Sequence, residues 1–506
     1  MDVVWVSAAF ILGWLGSRVG LPPLVGYLLA GFMLYLFGIR SSQALQNLAD
    51  IGVWLLLFTV GLKLRIQNLV RSEVLGVGGL HLLVSSSIIF AFMLASLEFV
   101  NALYVSVGLA FSSTVLAIKL LEDKRELNSY HGRVAVGILI LQDLVAIALL
   151  AFAGAKQPNV FALGFLALPL VRPVVLQLLE RSGHSELLLM FGLSFALAGG
   201  TLAKLAGVSP ELGALLFGAM LAGHERTSEL SKVLWSIKES FLVAFFLSIG
   251  LGGFPPPELF VWAVLFLLLL PLQGVVFFWL FVRFGLRART AFVASAALAS
   301  YSEFALIVVK PLIEKGQLES GWLGLLGVVI AISLVLAAPL NRAIHSLYER
   351  LEPWLLRFES KNTHIDREPT KLGKANWLVV GMGRTGGATY KQLEASGQRV
   401  VGLDSDPEKL KRHRAKGRRV LYGDAEDPEL WEGLELTGLQ GVVVTAPDFE
   451  ARLRALEGLK RRQFAGRLAV VSHHADEEDK LAKAGATLVF RPFAEAGERL
   501  AQRALE

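Results

Sequence analysis

The stretch "VGILILQDLVAIALL", from Val136 to Leu150, has the composition of a membrane-spanning helix but contains a carboxylate, Asp143, beside an amide, Gln142. An ionised carboxylate at the centre of a bilayer costs about 3 to more than about 10 kcal/mol. Asp143 must therefore face protein, water or a cation. Intramembrane ionisable residues are functional by default, and the alternative is a structural aspartate that is paired with a base or held neutral by hydrogen bonds.

The composition of the whole chain indicates a membrane protein with a soluble part. Of the 506 residues, 54% are hydrophobic and 18% are charged, and the mean hydropathy is +0.56. Soluble proteins carry about a quarter charged residues. The deficit lies before residue 350, where apolar blocks of about 20 residues, each long enough to cross a bilayer, follow one another. The absence of cysteine excludes disulfides, Cys-ligated zinc, iron–sulfur clusters and thiol catalysis.

The apolar blocks predict thirteen membrane spans, the first of which we interpret as a retained helix and not a cleaved signal. They are 3–19, 22–39, 46–64, 74–97, 100–121, 132–154, 160–179, 186–206, 211–224, 238–252, 258–282, 289–309 and 321–345. The spans starting at Glu211 and Lys238 are short. The seventh span is interrupted by Pro169, Arg172 and Pro173.

The distribution of basic residues predicts the orientation of these spans. If the N-terminus lies outside, the outside loops hold only Arg40, Lys156, Lys310 and Lys315, and the other loop Lys and Arg residues lie inside. This bias follows the positive-inside rule and places the C-terminal part in the cytoplasm. We attribute the net charge of +6 to these inside loops, so it indicates no nucleic-acid partner.

The C-terminal part changes to a pattern of short strands and helices. Residues 351–375 are polar and contain prolines, which indicates a linker with a short amphipathic start at Trp354 to Phe358. The predicted strands are Trp377–Val380, Val400–Leu403, Val420–Tyr422, Gly441–Thr445, Leu468–Ser472 and Thr487–Phe490. Strands that alternate with helices favour a parallel, doubly wound α/β Rossmann-like sheet. We therefore divide the chain into a transmembrane domain at 1–350, the linker, and a nucleotide-binding domain at 376–506.

A glycine-rich fingerprint follows the first of these strands. Gly381, Gly383 and Gly386 form GxGxxG at the start of a helix, and Asp404 ends the next strand about 20 residues later. The helix N-terminus would bind phosphates, and Asp404 would accept hydrogen bonds from ribose hydroxyls. An anion at that position favours NAD or an adenine mononucleotide over NADP. The predicted cofactor-binding residues are Gly381, Gly383, Arg384, Gly386, Asp404 and Asp424.

Two other interpretations of this domain stay open. The fold alone does not fix a function, so the domain can have lost its ligand. A hydride-transfer enzyme would need an acid or base, for which His473 and His474 are candidates, although adjacent histidines at a strand end are more often solvated. We interpret the domain as a nucleotide sensor, and we expect no enzyme activity.

Further polar residues in the middle of apolar spans accompany Asp143. One span contains Ser112, Ser113 and Thr114, and another contains Ser302 and Glu303. Small hydroxyl residues occur where transporter helices break and expose carbonyls and helix ends to ions, but they also serve helix packing. A buried carboxylate accepts a proton more readily, so one group that binds either a proton or a metal cation would exchange the two.

The order of several segments identifies a family. The segments are "LPPLVGYLLAGFML" (Leu21–Leu34), "LADIGVWLLLFTVGLKL" (Leu48–Leu64), "FSSTVLAIKLLEDK" from Phe111, "ILILQDLVAIALL", "LGALLFGAMLAGHERTSEL" (Leu212–Leu230) and "SEFALIV" (Ser302–Val308). Over nearly its whole length the chain resembles the Kef-type potassium/proton antiporters of the bacterial monovalent cation:proton antiporter superfamily. The tail, "VVGMGRTGG…VVGLDSDP…VLYGDA", resembles their regulator of potassium conductance (RCK) domain.

The resemblance implies a fold, ligands and partners. The fold would be a polytopic α-helical membrane protein with NhaA-like inverted repeats and two crossed, broken helices, in the bacterial inner membrane among lipid. The protein would be a homodimer whose core moves like an elevator. Asp143 would be the carboxylate shared by potassium and the proton, with Gln142, Ser112, Ser113, Thr114, Ser302 and Glu303 around it. NAD(H) or AMP would bind the cytoplasmic domain.

This chain departs from the family pattern at several positions. Lys63 stands where relatives have an acidic residue, and Gln273 stands at a basic position of the long eleventh span. The sequence ends at Glu506, before the continuation that holds part of the glutathione site in glutathione-gated members, so we expect no glutathione control. The alternatives are a sodium/proton antiporter and a ligand-gated cation channel, although the chain lacks a TVGYG-like filter loop.

Overall fold

The computed structural model describes residues 2–62, 72–123, 130–153, 159–183, 185–224, 226–359, 372–423, 425, 428–474 and 477–505. It divides into two compact units. The membrane unit comprises 1–117, 135–280 and 295–344. The sheet unit comprises 118–134, 281–294 and 345–506, and so includes short segments from the helical part of the chain.

The helical part consists of sixteen α-helices among the described residues, with short 3-10 turns at Val160–Ala167, Pro257–Leu259 and Leu356–Phe358. The helices are α1 (Asp2–Arg18), α2 (Pro23–Leu36), α3 (Gln43–Leu62), α4 (Ser72–Met93), α5 (Phe99–Leu109), α6 (Thr114–Asp123), α7 (Tyr130–Ala153), α8 (Leu168–Arg181), α9 (Glu186–Leu205), α10 (Pro210–Leu221), α11 (Thr227–Leu251), α12 (Phe260–Arg283), α13 (Ala288–Leu298), α14 (Phe304–Glu314), α15 (Gly321–Arg342) and α16 (Ile344–Leu355). Seven of them are long and apolar enough to cross a membrane.

Each predicted span coincides with a helix or with a pair of helices. The fifth span is divided into α5 and α6, and the twelfth is divided into α13 and α14, so two helices are broken in mid-span. The short ninth span is also observed, as α10. The prediction that the tenth span is short and starts at Lys238 is wrong, because α11 starts at Thr227 and has 25 residues. Its first turns are polar and resemble a loop in composition, yet they continue the helix.

Glycine pairs let the helices of the membrane unit approach closely. A Cβ atom built on Gly61 of α3 would lie 2.4 Å from the Leu215 carbonyl oxygen of α10. A Cβ atom on the facing Gly218 would lie 2.1 Å from the Phe58 carbonyl oxygen. Lipid tails are as apolar as leucine, so close backbone packing, and not the hydrophobic effect, holds such helices together.

The sheet unit contains six parallel strands in the order β3-β2-β1-β4-β5-β6. The elements are β1 (Trp377–Val380), α17 (Arg384–Ala395), β2 (Val400–Asp404), α18 (Pro407–Arg414), β3 (Val420–Tyr422), α19 (Pro428–Gly433), β4 (Gly441–Val444), α20 (Phe449–Arg461), β5 (Arg467–Val471), α21 (Glu478–Lys483), β6 (Leu488–Phe490) and α22 (Pro492–Leu505). All six predicted strands are present within one residue at each end. The order reverses between β1 and β4, where ligands of doubly wound sheets bind.

The closeness of α3 and α10 yields a testable prediction. Gly218→Val should lower the free energy of unfolding by at least about 2 kcal/mol, because the new side chain meets backbone that cannot move without separating the helices. The measurement is thermal unfolding of the purified full-length protein in detergent. Gly79→Val is the matched control, since a Cβ atom on Gly79 of α4 meets no described atom within 4 Å. An equal effect of both substitutions would contradict this view of the packing.

Candidate functional site

Two broken helices cross in the membrane unit. Between α5 and α6, and between α13 and α14, the backbone is extended, and Ser112 and Tyr301 form an antiparallel bridge. The Ser113 amide donates to the Ser300 carbonyl at 3.2 Å, and the Ser302 amide donates to the Phe111 carbonyl at 3.2 Å. Each break therefore provides hydrogen-bond partners for some backbone groups of the other. Non-helical chain inside a membrane needs such partners, because lipid cannot supply them.

The helix ends at the crossing lie next to polar side chains that complement their partial charges. Glu303, only 4% exposed, directly precedes α14, where a carboxylate stabilises the positive helix end. At the opposite, negative ends, two amides act as donors. Gln273 Nε2 donates to the Leu109 carbonyl at 3.0 Å, and Asn341 Nδ2 donates to the Ala296 carbonyl at 2.9 Å. The departure at Gln273 thus leaves the end of α5 capped, by a neutral amide.

The Gln142–Asp143 pair lies against the first of the two breaks. Gln142 Oε1 accepts a hydrogen bond of 2.9 Å from the Ser112 amide, which has no helical partner because the helix is broken there. Thr114 Oγ1 lies 3.4 Å from Asp143 Oδ1, at the N-terminus of α6. Both Gln142 and Asp143 are buried, at 1% and 6% exposure. The carboxylate is therefore placed at a positive helix end inside the membrane unit.

Ser113 and Ser302 occupy equivalent positions in the two breaks. Ser113 Oγ accepts from the Leu116 amide at 3.3 Å, and Ser302 Oγ accepts from the Phe304 amide at 3.2 Å. Each serine thus accepts a hydrogen bond from an amide in the first turn of the helix that follows it. Ser113 Oγ also lies 3.4 Å from Glu303 Oε2, which links the two breaks through side chains.

Several polar atoms near the crossing lack a partner. Within the described residues, Ser112 Oγ, Ser300 Oγ and Gln142 Nε2 are buried without a hydrogen-bond partner. A buried polar atom without a partner costs about 1–3 kcal/mol, so such atoms are rare in native proteins. Carboxylate, hydroxyl and carbonyl oxygens are suited to a hard cation. The crossing therefore contains a titratable carboxyl and, among the described residues, two buried hydroxyl oxygens without a hydrogen-bond partner.

Two residues of this region were not predicted from the sequence. In the sequence, Asn341 belongs to the polar end of the last span, but its side-chain amide donates to a carbonyl at the end of α13. Ser333 Oγ accepts from the Tyr301 amide at 3.1 Å and so satisfies the second break. A polar residue inside an apolar helix was the available signal, but it does not identify a partner that is distant in sequence. Lys63 lies outside the described residues.

The glycine fingerprint has the predicted geometry. Gly381 has a φ of +90°, and a Cβ atom on it would lie 2.6 Å from the Ala446 nitrogen. A Cβ atom on Gly386 would lie 1.8 Å from the Gly381 carbonyl oxygen, so this glycine permits the close approach of α17. A Cβ atom on Gly383, by contrast, meets no described atom within 4 Å. The space beside Gly383 is thus open to a ligand.

Asp404 is bound to the glycine loop at the end of β2. Its Oδ2 accepts from the Met382 amide at 2.7 Å, and its Oδ1 accepts from the Asp406 amide at 2.8 Å. Lys409 Nζ forms an ion pair with Oδ2 at 3.2 Å. Lys409 Nζ also lies 3.5 Å from Oδ1, so each oxygen has two donors and the group is firmly oriented. A ribose hydroxyl would bind the carboxylate in place of the Lys409 ammonium.

An open cleft lies at the carboxyl ends of the strands. Its lining comprises Arg133, Val380, Gly381, Leu403, Asp404, Ser405, Lys409, Gly423, Ala425, Ala446, Pro447, Asp448 and Ala451. Of the predicted cofactor residues, Gly381 and Asp404 therefore line the cleft. Arg384 is exposed at the first position of α17, and Asp424 lies outside the described residues.

A buried ion pair supports the loop after β4, on the other side of the cleft. Arg452 Nη2 binds Glu477 Oε2 at 2.8 Å, and Arg452 Nη1 donates to the Ala446 and Pro447 carbonyls at 3.0 Å. The His473 backbone amide donates to the same Glu477 oxygen, also at 3.0 Å. His473 therefore contributes main chain to this support, and His474 is exposed, in line with their interpretation as loop residues.

His413 of α18 is held in its neutral form beneath the glycine loop. Arg418 Nη1 donates to Nδ1 at 3.0 Å, so Nε2 carries the proton and donates to the Met382 carbonyl at 2.9 Å. Burial lowers the pKa of His413, and the Arg418 and Lys416 charges lower it further, while the bond to Met382 opposes the shift.

The chain was compared with known families and structures. Residues 6–342 match the family described as sodium/hydrogen exchanger, transmembrane, and residues 377–492 match the TrkA-N domain. The glutathione-regulated potassium-efflux system protein KefC of Salmonella schwarzengrund is 29% identical over 543 residues, covering 100% of this chain and 84% of the relative. KefC of Cronobacter sakazakii is 28% identical over 534 residues, with the same two coverages. The solved structure of the sodium proton antiporter MjNhaP1 from Methanocaldococcus jannaschii covers 70% of this chain and 97% of its own, at 14% identity and a TM-score of 0.49.

The neutral His413 predicts a pH dependence of stability. Since its pKa is lower in the folded protein than the ordinary 6.5, the unfolded chain binds more protons below that pH, and stability falls as the pH drops through about 6.5. His413→Gln keeps a donor for the Met382 carbonyl but cannot titrate. Thermal unfolding at pH 7.5 and pH 5.5 should therefore show a larger drop in Tm for the wild type than for the variant. An equal drop in both would contradict a neutral His413.

Proposed function

The chain belongs to the sodium/hydrogen exchanger family, and from this membership we propose that it is a potassium/proton antiporter that a nucleotide regulates. The family transports ions and is not one of enzymes. Membership of this family means that the protein is a multi-pass membrane protein. The second match adds a soluble C-terminal TrkA-N domain. Potassium efflux would be coupled to proton entry.

The observation that carries the proposal is the position of Asp143. Its buried carboxylate lies at the N-terminus of α6, beside the Thr114 hydroxyl and next to the break that Gln142 contacts. A protonated carboxyl and a carboxylate that holds a cation are both neutral as a whole, so either form can be accommodated in low dielectric. The ionised, empty form is disfavoured there. This preference couples cation movement to proton movement.

The remaining residues at the crossing would support the exchange of ligands. We propose that Ser112, Ser113, Thr114 and Ser302 offer oxygens to the cation and that Gln142 orients the first break. Glu303 would stabilise the positive end of α14. The second break and its caps would move with the first, as one core.

Potassium is proposed as the cation because the relatives that match the whole chain are named as potassium-efflux proteins. The family description names sodium, which makes a sodium/proton antiporter the alternative. We further propose a homodimer in a lipid bilayer, on the resemblance to Kef-type antiporters. Proton flux should be measured with potassium and with sodium. Each measurement should be made with and without glutathione, because the relatives are named as glutathione-regulated.

The regulatory ligand is proposed to be NAD(H) or AMP. Two features support an adenine nucleotide without a 2′-phosphate: the open space beside Gly383 at the start of α17, and the Asp404 carboxylate at the end of β2. We assign exchange to residues 1–350, the link to 351–375 and nucleotide binding to 376–506. The two family matches, which end at 342 and begin at 377, support this division.

The central residue can be tested by an isosteric substitution. Asp143→Asn should abolish cation-dependent proton flux in proteoliposomes, because the amide neither releases a proton nor neutralises a cation. Potassium and sodium gradients are imposed in turn, and flux is followed with a pH-sensitive dye. Glu186→Gln, at the exposed start of α9, removes a carboxylate away from the crossing and should exchange normally. Normal exchange by Asp143→Asn would remove the proposal.

The nucleotide cleft can be tested at a position where a side chain fits the protein but not the ligand. Gly383→Val should weaken AMP or NADH binding at least about tenfold, because the new side chain occupies the path of the phosphates. Calorimetry with full-length protein measures the affinity. Gly433→Val is the control, since a Cβ atom there also meets no described atom within 4 Å, outside the cleft. Gly383 is not among the cleft-lining residues but stands at the start of α17. Unchanged affinity in Gly383→Val would therefore reject the glycine loop as the phosphate-binding site.

A further inference from the structure

We infer that Arg133, a residue of the helix that carries Asp143, is part of the nucleotide site and couples nucleotide binding to that helix. Arg133 lies in the first turn of α7, at the end of the helix that belongs to the sheet unit. It is half-buried and lines the same cleft as Gly381 and Asp404. The inference rests on the proposed nucleotide function of this cleft.

A backbone hydrogen bond holds the Arg133 side chain in the cleft. Arg133 Nη2 donates to the Ser405 carbonyl at 3.0 Å, across 272 positions of sequence. Ser405 directly follows Asp404, the residue expected to bind the ribose. The guanidinium is therefore anchored next to the residue that is expected to bind the ribose.

The sheet unit holds other segments of the helical part in the same way. Glu359 Oε1 accepts from the Ala288 amide at 2.6 Å, and Arg454 Nη2 binds Glu349 Oε1 at 2.9 Å. All four residues belong to the sheet unit. The contact of Arg133 with Ser405 is thus one of several inside a single compact unit.

Arginine is chemically suited to an adenosine nucleotide. Its guanidinium is planar and always charged, it stacks on aromatic rings, and it donates up to five hydrogen bonds in a fixed fork. The guanidinium is fixed in the cleft beside Asp404, the residue expected to bind the ribose. We therefore assign to Arg133 a direct contact with the base or ribose of a bound adenosine nucleotide.

The position of Arg133 on α7 connects the two ligands of the protein. Arg133 and Asp143 are ten positions apart on one continuous helix, or about 15 Å along its axis. A change in the position of α7 during exchange would move Arg133 relative to Ser405. Nucleotide affinity would then depend on the state of the ion site, and by linkage the nucleotide would bias that state by the same factor.

Binding to full-length protein tests the first part of this inference. Calorimetry with AMP and with NADH should show affinity at least about tenfold weaker in Arg133→Ala, which is the loss expected for one charge-assisted hydrogen bond. Arg133→Lys keeps the charge without the planar fork and should be intermediate, and it carries the test if the alanine variant does not fold. Arg283→Ala, at the exposed end of α12 in the same unit, should bind within about twofold of wild type.

The outcomes distinguish this inference from the proposed function. A wild type that binds neither nucleotide rejects the proposed regulation and, with it, this inference. A wild type that binds, together with Arg133 variants of equal affinity, rejects the inference alone. A uniform loss in Arg133→Ala and Arg283→Ala would mean a general loss of folded protein, and would reject the specific contact.

Proton flux at saturating nucleotide tests the coupling. In proteoliposomes, nucleotide should change the exchange rate of the wild type and of Arg283→Ala. In Arg133→Ala, a concentration that saturates the weakened site should leave the rate unchanged, since the ligand no longer contacts α7. A saturated Arg133→Ala variant with the full wild-type response would show that the signal does not pass through Arg133, and would overturn the coupling.

Discussion

The structure of the membrane unit is determined by the free-energy cost of placing charged groups and unpaired backbone amides and carbonyls in a medium without water. Two helices break in mid-span, and each break exposes amides and carbonyls that lipid cannot satisfy. The breaks pair with each other through Ser113 and Ser302 amides, and side-chain amides of Gln273 and Asn341 cap the negative helix ends. Among the described residues of the crossing, the Ser112 and Ser300 hydroxyls and the Gln142 amide nitrogen are buried without a hydrogen-bond partner. Under the proposed function, the two hydroxyl oxygens would be available to a cation.

The same constraint explains why neutral and charged residues are distributed as they are. Glu303 is fixed beside the positive end of α14, whereas the two negative ends are capped by neutral amides. A permanent cation at position 273 would add a charge that the site must balance at every stage. With Gln273 there instead, the end of α5 is capped without an added charge. Under the proposed exchange, replacing one cation by one proton at Asp143 would leave the net charge of the crossing unchanged.

The sequence predicts the fold more completely than it predicts the side-chain contacts. Apolar blocks of bilayer length and the strand–glycine–helix pattern of residues 376–506 are local signals, so the polytopic helical class, the strands and the Rossmann-like class are confirmed. The first turns of α11 are polar and have the composition of a loop, which does not show that the helix continues beyond the membrane. The partners of Gln273, Asn341 and Arg133 lie far away in sequence. Such pairs leave no periodic pattern, and only the folded chain brings them together. The functional roles of the predicted site residues remain predictions.

The account rests on one carboxylate that holds either a proton or a cation. Competition between these two ligands can be measured directly by titrating potassium into the purified protein over a range of pH. Below the pKa of the site, we expect each bound cation to release one proton and the apparent potassium affinity to fall about tenfold for each unit that the pH drops. In Asp143→Asn, which lacks the carboxylate, we expect no proton release on addition of potassium and no pH-dependent fall in potassium affinity. Potassium affinity that is independent of pH, with no proton released on binding, would contradict the account.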